Sequence, residues 1–348
     1  MKIINAIHAQ TIGGVDQVFR DYTKILLRQG HEVSLLISAN RNCEYKISGV
    51  KKIFELNNST QIFDVLKLLK ILIIYRPDIM ICHSRRLMNW AKILRICAKL
   101  KIIKTKLIGV NHSTAFEKSL LCDYVISINQ EINDLVTAQG FEQNKAFILQ
   151  NAIHITEKYR EKTVKNPPVI AMYGRIEHRK GFDILAKACK ILDKNGQDFK
   201  LKLGGFATKG DGWDWPLIDQ FLEQNNVAHK TQKVGVVVDK KKFFEDVDIF
   251  CVPSREEPFG IVILEGFLHS TLVISSDTIG GKLLIRNDEN GILFENENHI
   301  DLAVKLTSII KDSSTYNAKT KKAFLQLEKE FSFDSLERGI SEILQKIY

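Results

Sequence analysis

The chain has 348 residues, with 50 Lys+Arg against 41 Asp+Glu and a formal net charge of +9. Hydrophobic residues are 45 % and charged residues 26 %, with 20 Gly and only 6 Pro, which excludes collagenous, low-complexity and disordered chains. At ~150 residues per domain the length suggests two domains, each with ample core.

The elements alternate from the start. KIINAIH (2–8) reads as a strand, followed by a Gly13-Gly14 loop and a helix from about Asp16 to Arg28 that Gly30 ends. VSLLIS (33–38) is the next strand, IFDVLKLLKILIIY (62–75) a helix broken by Pro77, and DIMICHS (78–84) a strand. TKLIGVNH (105–112), DYVISI (123–128) and AFILQ (146–150) continue the strands, with NQEINDLVTAQG a helix between the last two. Polar HITEKYREKTVKNPP (154–168) interrupts the series and reads as an interdomain linker.

The alternation then restarts. PVIAMYGR, helix 181–194, FKLKLGG, a helix from about Pro216, TQKVGVV, helix 240–247, DIFCVPS, helix 260–268, LVISSD, helix 281–286 and ILFE follow in order. Runs such as IAMYG and IFCVP are apolar at successive positions, as strands buried on both faces require. Two doubly wound α/β domains result, spanning about 1–153 and 169–331.

Six cysteines (Cys43, Cys82, Cys97, Cys122, Cys189, Cys251) form no C-x-x-C and read as buried thiols, neither a disulfide frame nor a zinc site. The apolar stretch at the N-terminus is too short for a signal peptide, and no run approaches the ~18 residues that span a bilayer. A cytoplasmic location is expected. Charge is unevenly placed: residues 1–150 hold 21 Lys/Arg and 12 Asp/Glu, whereas residues 151–348 hold 29 of each. An anionic partner for one face of the first half follows from this asymmetry.

Ligands of open α/β sheets bind beyond the carboxyl ends of the strands. Four such places carry polar or glycine-rich residues. Gly13-Gly14 lets backbone approach a ligand before a helix N-terminus, or makes a plain tight turn; AQTIGGVDQ is not G-x-G-x-x-G, so a dinucleotide fold is not supported. His112 closes LIGVNHS, placed either to contact a bound polar group or as a structural histidine. In GRIEHRKG (174–181), Arg175 follows a buried strand and Lys180 stands just before a helix, which suits a pyrophosphate or an ordinary ion pair and first-turn lysine.

In PSREEPFGIVILEG (253–266), Glu257 sits in the loop, Gly260 opens a helix and Glu265 lies within it, seven residues separating the two carboxylates. A diphosphate on the helix N–H groups, flanked by two polyols, matches this layout. A glycosidase pair would call for an aromatic cleft that nothing here indicates.

These strings together resemble the retaining glycosyltransferases of family 4, with the GT-B fold. GGVDQ near the start, GRIEHRKG and VPSREEPFGIVILEG carry the likeness, and NHS, SINQEINDLVTAQG, QNAI, KVGVV, DIFCVPS, NGILF and FSFDSLERGISEIL fall in the family's order. The resemblance implies two Rossmann-like domains facing a central cleft and a nucleotide-sugar donor held mainly by the second. Arg175 and Lys180 would hold its diphosphate, Glu265 its ribose, and Glu257 with the Phe259-Gly260 backbone its sugar. Gly13 and Gly14 would meet the donor from the first domain, and His112 would lie near the transferred sugar. The last helix, within about 332–348, would return to the first domain.

Two departures stand out. Lys282-Leu283-Leu284 supplies no acid after Ile279-Gly280-Gly281, and Asn151-Ala152 replaces the usual N-G. Asp246-Val247-Asp248 spells the D-x-D of the other large glycosyltransferase fold, but joins a helix to a buried strand. No metal site and no cofactor is expected.

RRLMNWAKILRICAKLKIIKTK (85–106) has eight basic residues and no acid. At 100° per residue Trp90, Ile93, Leu94, Cys97 and Leu100 share one face, with Lys92, Arg95 and Lys99 opposite. The stripe is either a solvated surface or a dock for anionic lipid; nucleic acid is disfavoured because no stacking platform interleaves with the charges. The resemblance then implies metal-free transfer, with retention, to a hydroxyl of lipopolysaccharide or another lipid-linked surface glycan at the inner membrane face. A nucleotide-sugar epimerase of the same fold, or a non-catalytic lipid- or nucleic-acid-binding protein, remains the alternative.

Overall fold

The computed structural model describes residues 1–8, 14–39, 46–56, 61–207 and 212–348. Contacts divide the chain into two compact units, Met1–Ala152 with Phe333–Tyr348, and Ile153–Ser332.

The first unit runs β1 (Lys2–Ala6), α1 (Gly14–Arg28), β2 (Glu32–Ser38), β3 (Lys52–Leu56), α2 (Gln61–Tyr75), β4 (Ile79–Cys82), α3 (Arg85–Met88), α4 (Ala91–Lys99), β5 (Lys106–Asn111), β6 (Tyr124–Ser127), α5 (Gln130–Ala138) and β7 (Ala146–Ile148). Its seven strands lie parallel in the order β3-β2-β1-β4-β5-β6-β7. β4 is buried at every position because helices cover both faces of the sheet. Helix ends obey local chemistry: Gly30, at φ +74, lets the chain leave α1 while His31 N–H donates to the Leu26 carbonyl, and Asn129 caps α5 by accepting from Ile132 N at 2.8 Å.

The second unit runs β8 (Val169–Ile176), α6 (Phe182–Lys194), β9 (Lys200–Ala207), α7 (Trp215–Gln224), β10 (Thr231–Gly235), α8 (Lys240–Phe244), β11 (Ile249–Val252), α9 (Ile261–Leu268), β12 (Leu272–Ser276), α10 (Ile279–Leu284), β13 (Ile292–Phe294), α11 (His299–Lys311) and α12 (Tyr316–Glu330). The order β10-β9-β8-β11-β12-β13 is again all parallel. The sequence reverses its direction across the sheet between β10 and β11, which flank it on either side of β8 and β9, and this opens a crevice at the carboxyl ends of β8 and β11. α13 (Phe333–Ile347) closes the chain in the first unit, where Gln29 Nε2 donates to the Glu337 carbonyl at 2.9 Å and a Cβ on Gly339 would run into Leu149.

Several elements differ from the sequence reading. β3, α11 and α12 were not legible from pattern. The basic stretch 85–106 is not one helix: it breaks at Asn89-Trp90, and Lys101 takes φ +58 after α4 ends. Trp90 and Leu94 are buried as the periodicity requires, but Ile93 (43 % exposed) and Leu100 (67 %) face outward, because the buried face of α4 is centred on Trp90, Ala91 and Leu94 and these two lie about 100° or more from its centre.

The stretch 154–168 is strapped to the second unit. Tyr159 donates to the Asn317 carbonyl at 2.9 Å, and Lys162 Nζ donates to the carbonyls of Phe244 and Val247 (both 3.2 Å) and to Thr271 Oγ1 (2.7 Å). Burial pushes the Lys162 ammonium down to about 8.

Candidate functional site

In the second unit the crevice is built from the carboxyl ends of β8 and β11. Arg175 is the penultimate residue of β8, and its Nη1 lies 2.8 Å from Glu177 Oε1; Arg179 takes the other oxygen of the same carboxylate. The tight turn His178–Lys180 then feeds Gly181, at φ +73, into α6. A Cβ on Gly181 would run into the Pro253 carbonyl oxygen, so the loop after β11 packs directly on this backbone.

That packing brings together residues 77 apart in sequence: Lys180 Nζ lies 2.6 Å from Glu257 Oε2, with both side chains largely buried. The Lys180 stem passes beside Gly174, next to Arg175. Lys180 and Glu257 are therefore brought together, while Arg175, on the neighbouring stretch of β8, is neutralised by Glu177, which sequence reasoning missed.

A second clamp was also missed. Arg255 makes a two-pronged pair with Asp183 (2.9 and 2.8 Å), donates to the His178 carbonyl at 2.7 Å, and its backbone N–H donates to the Arg179 carbonyl. Burial alone would raise the Asp183 carboxyl, but the Arg255 guanidinium outweighs it and holds the carboxyl below its ordinary value. The 253–260 loop is thus locked to the start of α6. The acid in the first turn of α6 was the available signal, but nothing in sequence pairs it with Arg255.

Gly260, at φ +97, caps α9, and the first N–H groups of a helix have no carbonyl behind them to accept. Phe259 points its ring into the core against Phe331 (centroids 6.0 Å apart), so only its backbone is available to a ligand. The Gly280-Gly281 pair has a packing role: Gly280 N–H donates to the Glu257 carbonyl at 2.7 Å, a Cβ there would strike Phe259 O, and a Cβ on Gly281 would strike Ser276 O. Leu284, three residues after Gly281 where the acid is missing, is buried, and Lys282 is exposed.

Glu265 is buried within α9. One carboxylate oxygen accepts from the Tyr173 hydroxyl and the other pairs with Lys240 Nζ. Burial lowers the Lys240 ammonium and raises the Tyr173 phenol, which stays a donor. A carboxylate offers about four lone-pair positions, so two remain for ligand hydroxyls. Neither Tyr173 nor Lys240 carried a sequence signal.

In the first unit, Gly14 begins α1 and is exposed, while Gly13 lies outside the described residues. His112 follows β5, and its Nε2 stands 3.2 Å from Nδ1 of His83, which follows β4. The strand-end rule that singled out His112 applies equally to His83 in ICHS.

The D-x-D aspartates hold a strand entry. Asp246 pairs with Lys202, and Asp248 accepts the backbone N–H of Val169 at 2.8 Å. Among the described residues no group of three or more His, Cys, Asp or Glu could hold a metal ion. The arrangement suits an anion flanked by hydroxyls: fixed cations and a helix N-terminus for phosphates, two buried carboxylates for sugar hydroxyls.

Residues 155–326 match the family described as Glycosyl transferases group 1, and this segment spans nearly all of the unit that carries the Lys180–Glu257 floor. Over 365 aligned positions, covering 99 % of both proteins, the chain is 23 % identical to the lipopolysaccharide core biosynthesis glycosyltransferase LpsE of Rhizobium meliloti. A glycosyltransferase from Rickettsia africae superposes with a TM-score of 0.83 at 20 % identity, covering 99 % of this chain and 98 % of that one. Anabaena Alr3699/HepE, solved in complex with UDP-glucose, superposes with a TM-score of 0.83 at 19 % identity, covering 99 % of each. The two parallel-sheet Rossmann-like units are those of the GT-B glycosyltransferases, and the chain is a glycosyltransferase by its homologues.

Proposed function

We propose that this chain moves a sugar from a nucleotide-sugar donor to a hydroxyl of lipopolysaccharide or another lipid-linked surface glycan, with retained anomeric configuration and without a metal. The observation that carries the donor reading is the pairing of Lys180 with Glu257 at 2.6 Å, three residues before the Gly260 that opens α9. Arg175 and Lys180 take the diphosphate, and with the α9 N-terminus they stabilise charge on the departing diphosphate, the task a metal would otherwise perform. Glu265 takes the ribose. Glu257 and the Phe259-Gly260 backbone take the transferred sugar, which His112 also contacts; Gly13 and Gly14 approach the donor from the first unit. The name of the Rhizobium relative supports the acceptor class, and the UDP-glucose of HepE supports the donor class.

The same reading assigns the first unit to an anionic membrane surface. No helix among the described residues is long and apolar enough to cross a membrane. Instead α2 and α4, which bury their inner faces in one shared cluster, turn outward Phe63 (68 % exposed), Leu66, Ile74 and Ile96 between Lys70, Lys92, Arg95 and Lys99. Large apolar side chains set among cations suit an interface of acyl chains and anionic headgroups, at ~1 kcal/mol per Lys or Arg near the surface.

A thermal-shift panel of UDP-, GDP- and ADP-sugars with EDTA present tests the donor reading. Selective stabilisation by one nucleotide sugar, beyond its nucleoside diphosphate, is expected. No shift with any member contradicts it.

A further inference from the structure

His83 and His112 close two adjacent parallel strands, and their rings stand 5.3 Å apart at 23°, with Nδ1 of His83 3.2 Å from Nε2 of His112. His83 is 3 % exposed and boxed by the ring of Tyr22 (4.9 Å) and that of Phe19 (5.7 Å), both perpendicular to it. Its Nε2 has no hydrogen-bond partner. Burial pushes His112 down to about 4 and His83 well below the ordinary imidazole value, so both rings are neutral at pH 7.

A neutral imidazole carries one N–H, so one proton lies between the two rings. If His112 donates it, His83 is left with a buried N–H at Nε2 and nothing to accept it. If His83 donates from Nδ1, its Nε2 is an unpaired acceptor. Native interiors tolerate an unpaired acceptor better than an orphaned N–H. The second arrangement puts the only proton of His112 on Nδ1, for which no protein acceptor exists among the described residues.

We propose that His83 is a positioning residue that holds His112 as its Nδ1–H tautomer, so that His112 presents an uncharged hydrogen-bond donor to an oxygen of the transferred sugar. The role rests on the reading of His112 as a sugar contact. The second-layer nitrogen sets which ring nitrogen of the outer histidine bears hydrogen.

Nitrogen-15 NMR of histidine-labelled full chain tests it directly, with His112 assigned by the signals lost in His112→Asn. A protonated Nδ1 and an unprotonated Nε2 on His112 are expected at neutral pH. His83→Asn, whose amide N–H replaces Nδ1–H, should keep that pattern and most of the turnover. His83→Phe should give mixed tautomers and about a tenfold drop in kcat/KM, with UDP affinity unchanged. Turnover is read with whichever of UDP-glucose, UDP-galactose or GDP-mannose stabilises the protein most. A protonated Nε2 in the unmodified protein overturns the proposal, as does a His83→Phe protein with the original tautomer and turnover. The expected spectrum in a protein that turns over no sugar supports the tautomer lock and contradicts the proposed function instead.

Discussion

Lys180 and Glu257 are each other's counter-ion, 2.6 Å apart on the floor of the second unit. A diphosphate arriving at Lys180 therefore competes with Glu257, unless that carboxylate is simultaneously engaged by sugar hydroxyls. Glu257→Gln should leave nucleoside-diphosphate binding intact or slightly tighter, while abolishing the extra affinity of the full nucleotide sugar. Calorimetric titration with both ligands reads the difference. Equal weakening of the two would remove Glu257 from the sugar.

Glu265 should behave differently. Its carboxylate satisfies Tyr173 and Lys240 and has lone pairs left for a ribose. Glu265→Ala should weaken nucleoside diphosphate and full donor alike by about tenfold, the scale of one lost hydrogen bond to a charged group. It should also destabilise the second unit, because Lys240 loses its partner. Retained ligand affinity in a folded Glu265→Ala protein would refute the ribose assignment.

The first unit should lose stability in mild acid. An unfolded histidine titrates near ~6.5, whereas His112 is pushed down to about 4 and His83 lower than its ordinary value. Between those values the unfolded chain binds more protons, so stability is fully present above pH ~6.5 and falls as pH drops toward ~4. Asp21, pushed up to about 6 by burial, acts the other way. Hydrogen exchange of β4 and β5 amides at pH 7 and pH 5 reports this unit alone. His83→Phe should show a shallower fall than the unmodified protein, and an identical fall would contradict the assignment.

Membrane binding should have two separable parts. Changing Lys92, Arg95 and Lys99 to Glu should release the protein from anionic vesicles while nucleotide binding persists. Charge attraction of this kind is screened over ~8 Å at physiological salt, so binding should also fade as salt rises. Phe63→Ser with Ile74→Ser should weaken binding at every salt concentration, because both side chains are exposed apolar groups. Undiminished sedimentation of both variants with vesicles would leave the surface as ordinary solvated protein.

Most strands were legible because burial on both faces writes an unbroken apolar run, as in IFCV of β11. β3 was not, since its residues are mostly half-buried at the sheet edge. Glycines and charges at strand ends pointed to Arg175, Lys180, Glu257 and Glu265 because the topology rule needs only local sequence. Their partners were hidden for the opposite reason: Arg255–Asp183, Tyr173–Glu265 and His83–His112 are tertiary pairs, and no local period encodes them. The facing of the basic helix was misread because Ala91, a small residue, shares the buried face with Trp90 and Leu94 and shifts it away from Ile93 and Leu100, which a wheel drawn on the larger apolar residues does not register.

The central claim is that Arg175 and Lys180 hold a donor diphosphate without metal. Calorimetric titration of the full chain with UDP and with the nucleotide sugar it prefers, in EDTA, tests it most directly. Each charge-assisted contact is worth ~1.5–3 kcal/mol, so Arg175→Ala and Lys180→Ala should each weaken binding at least about tenfold, with the second unit still folded. Unchanged affinity in both variants, or binding that EDTA abolishes and Mg²⁺ restores, would contradict it.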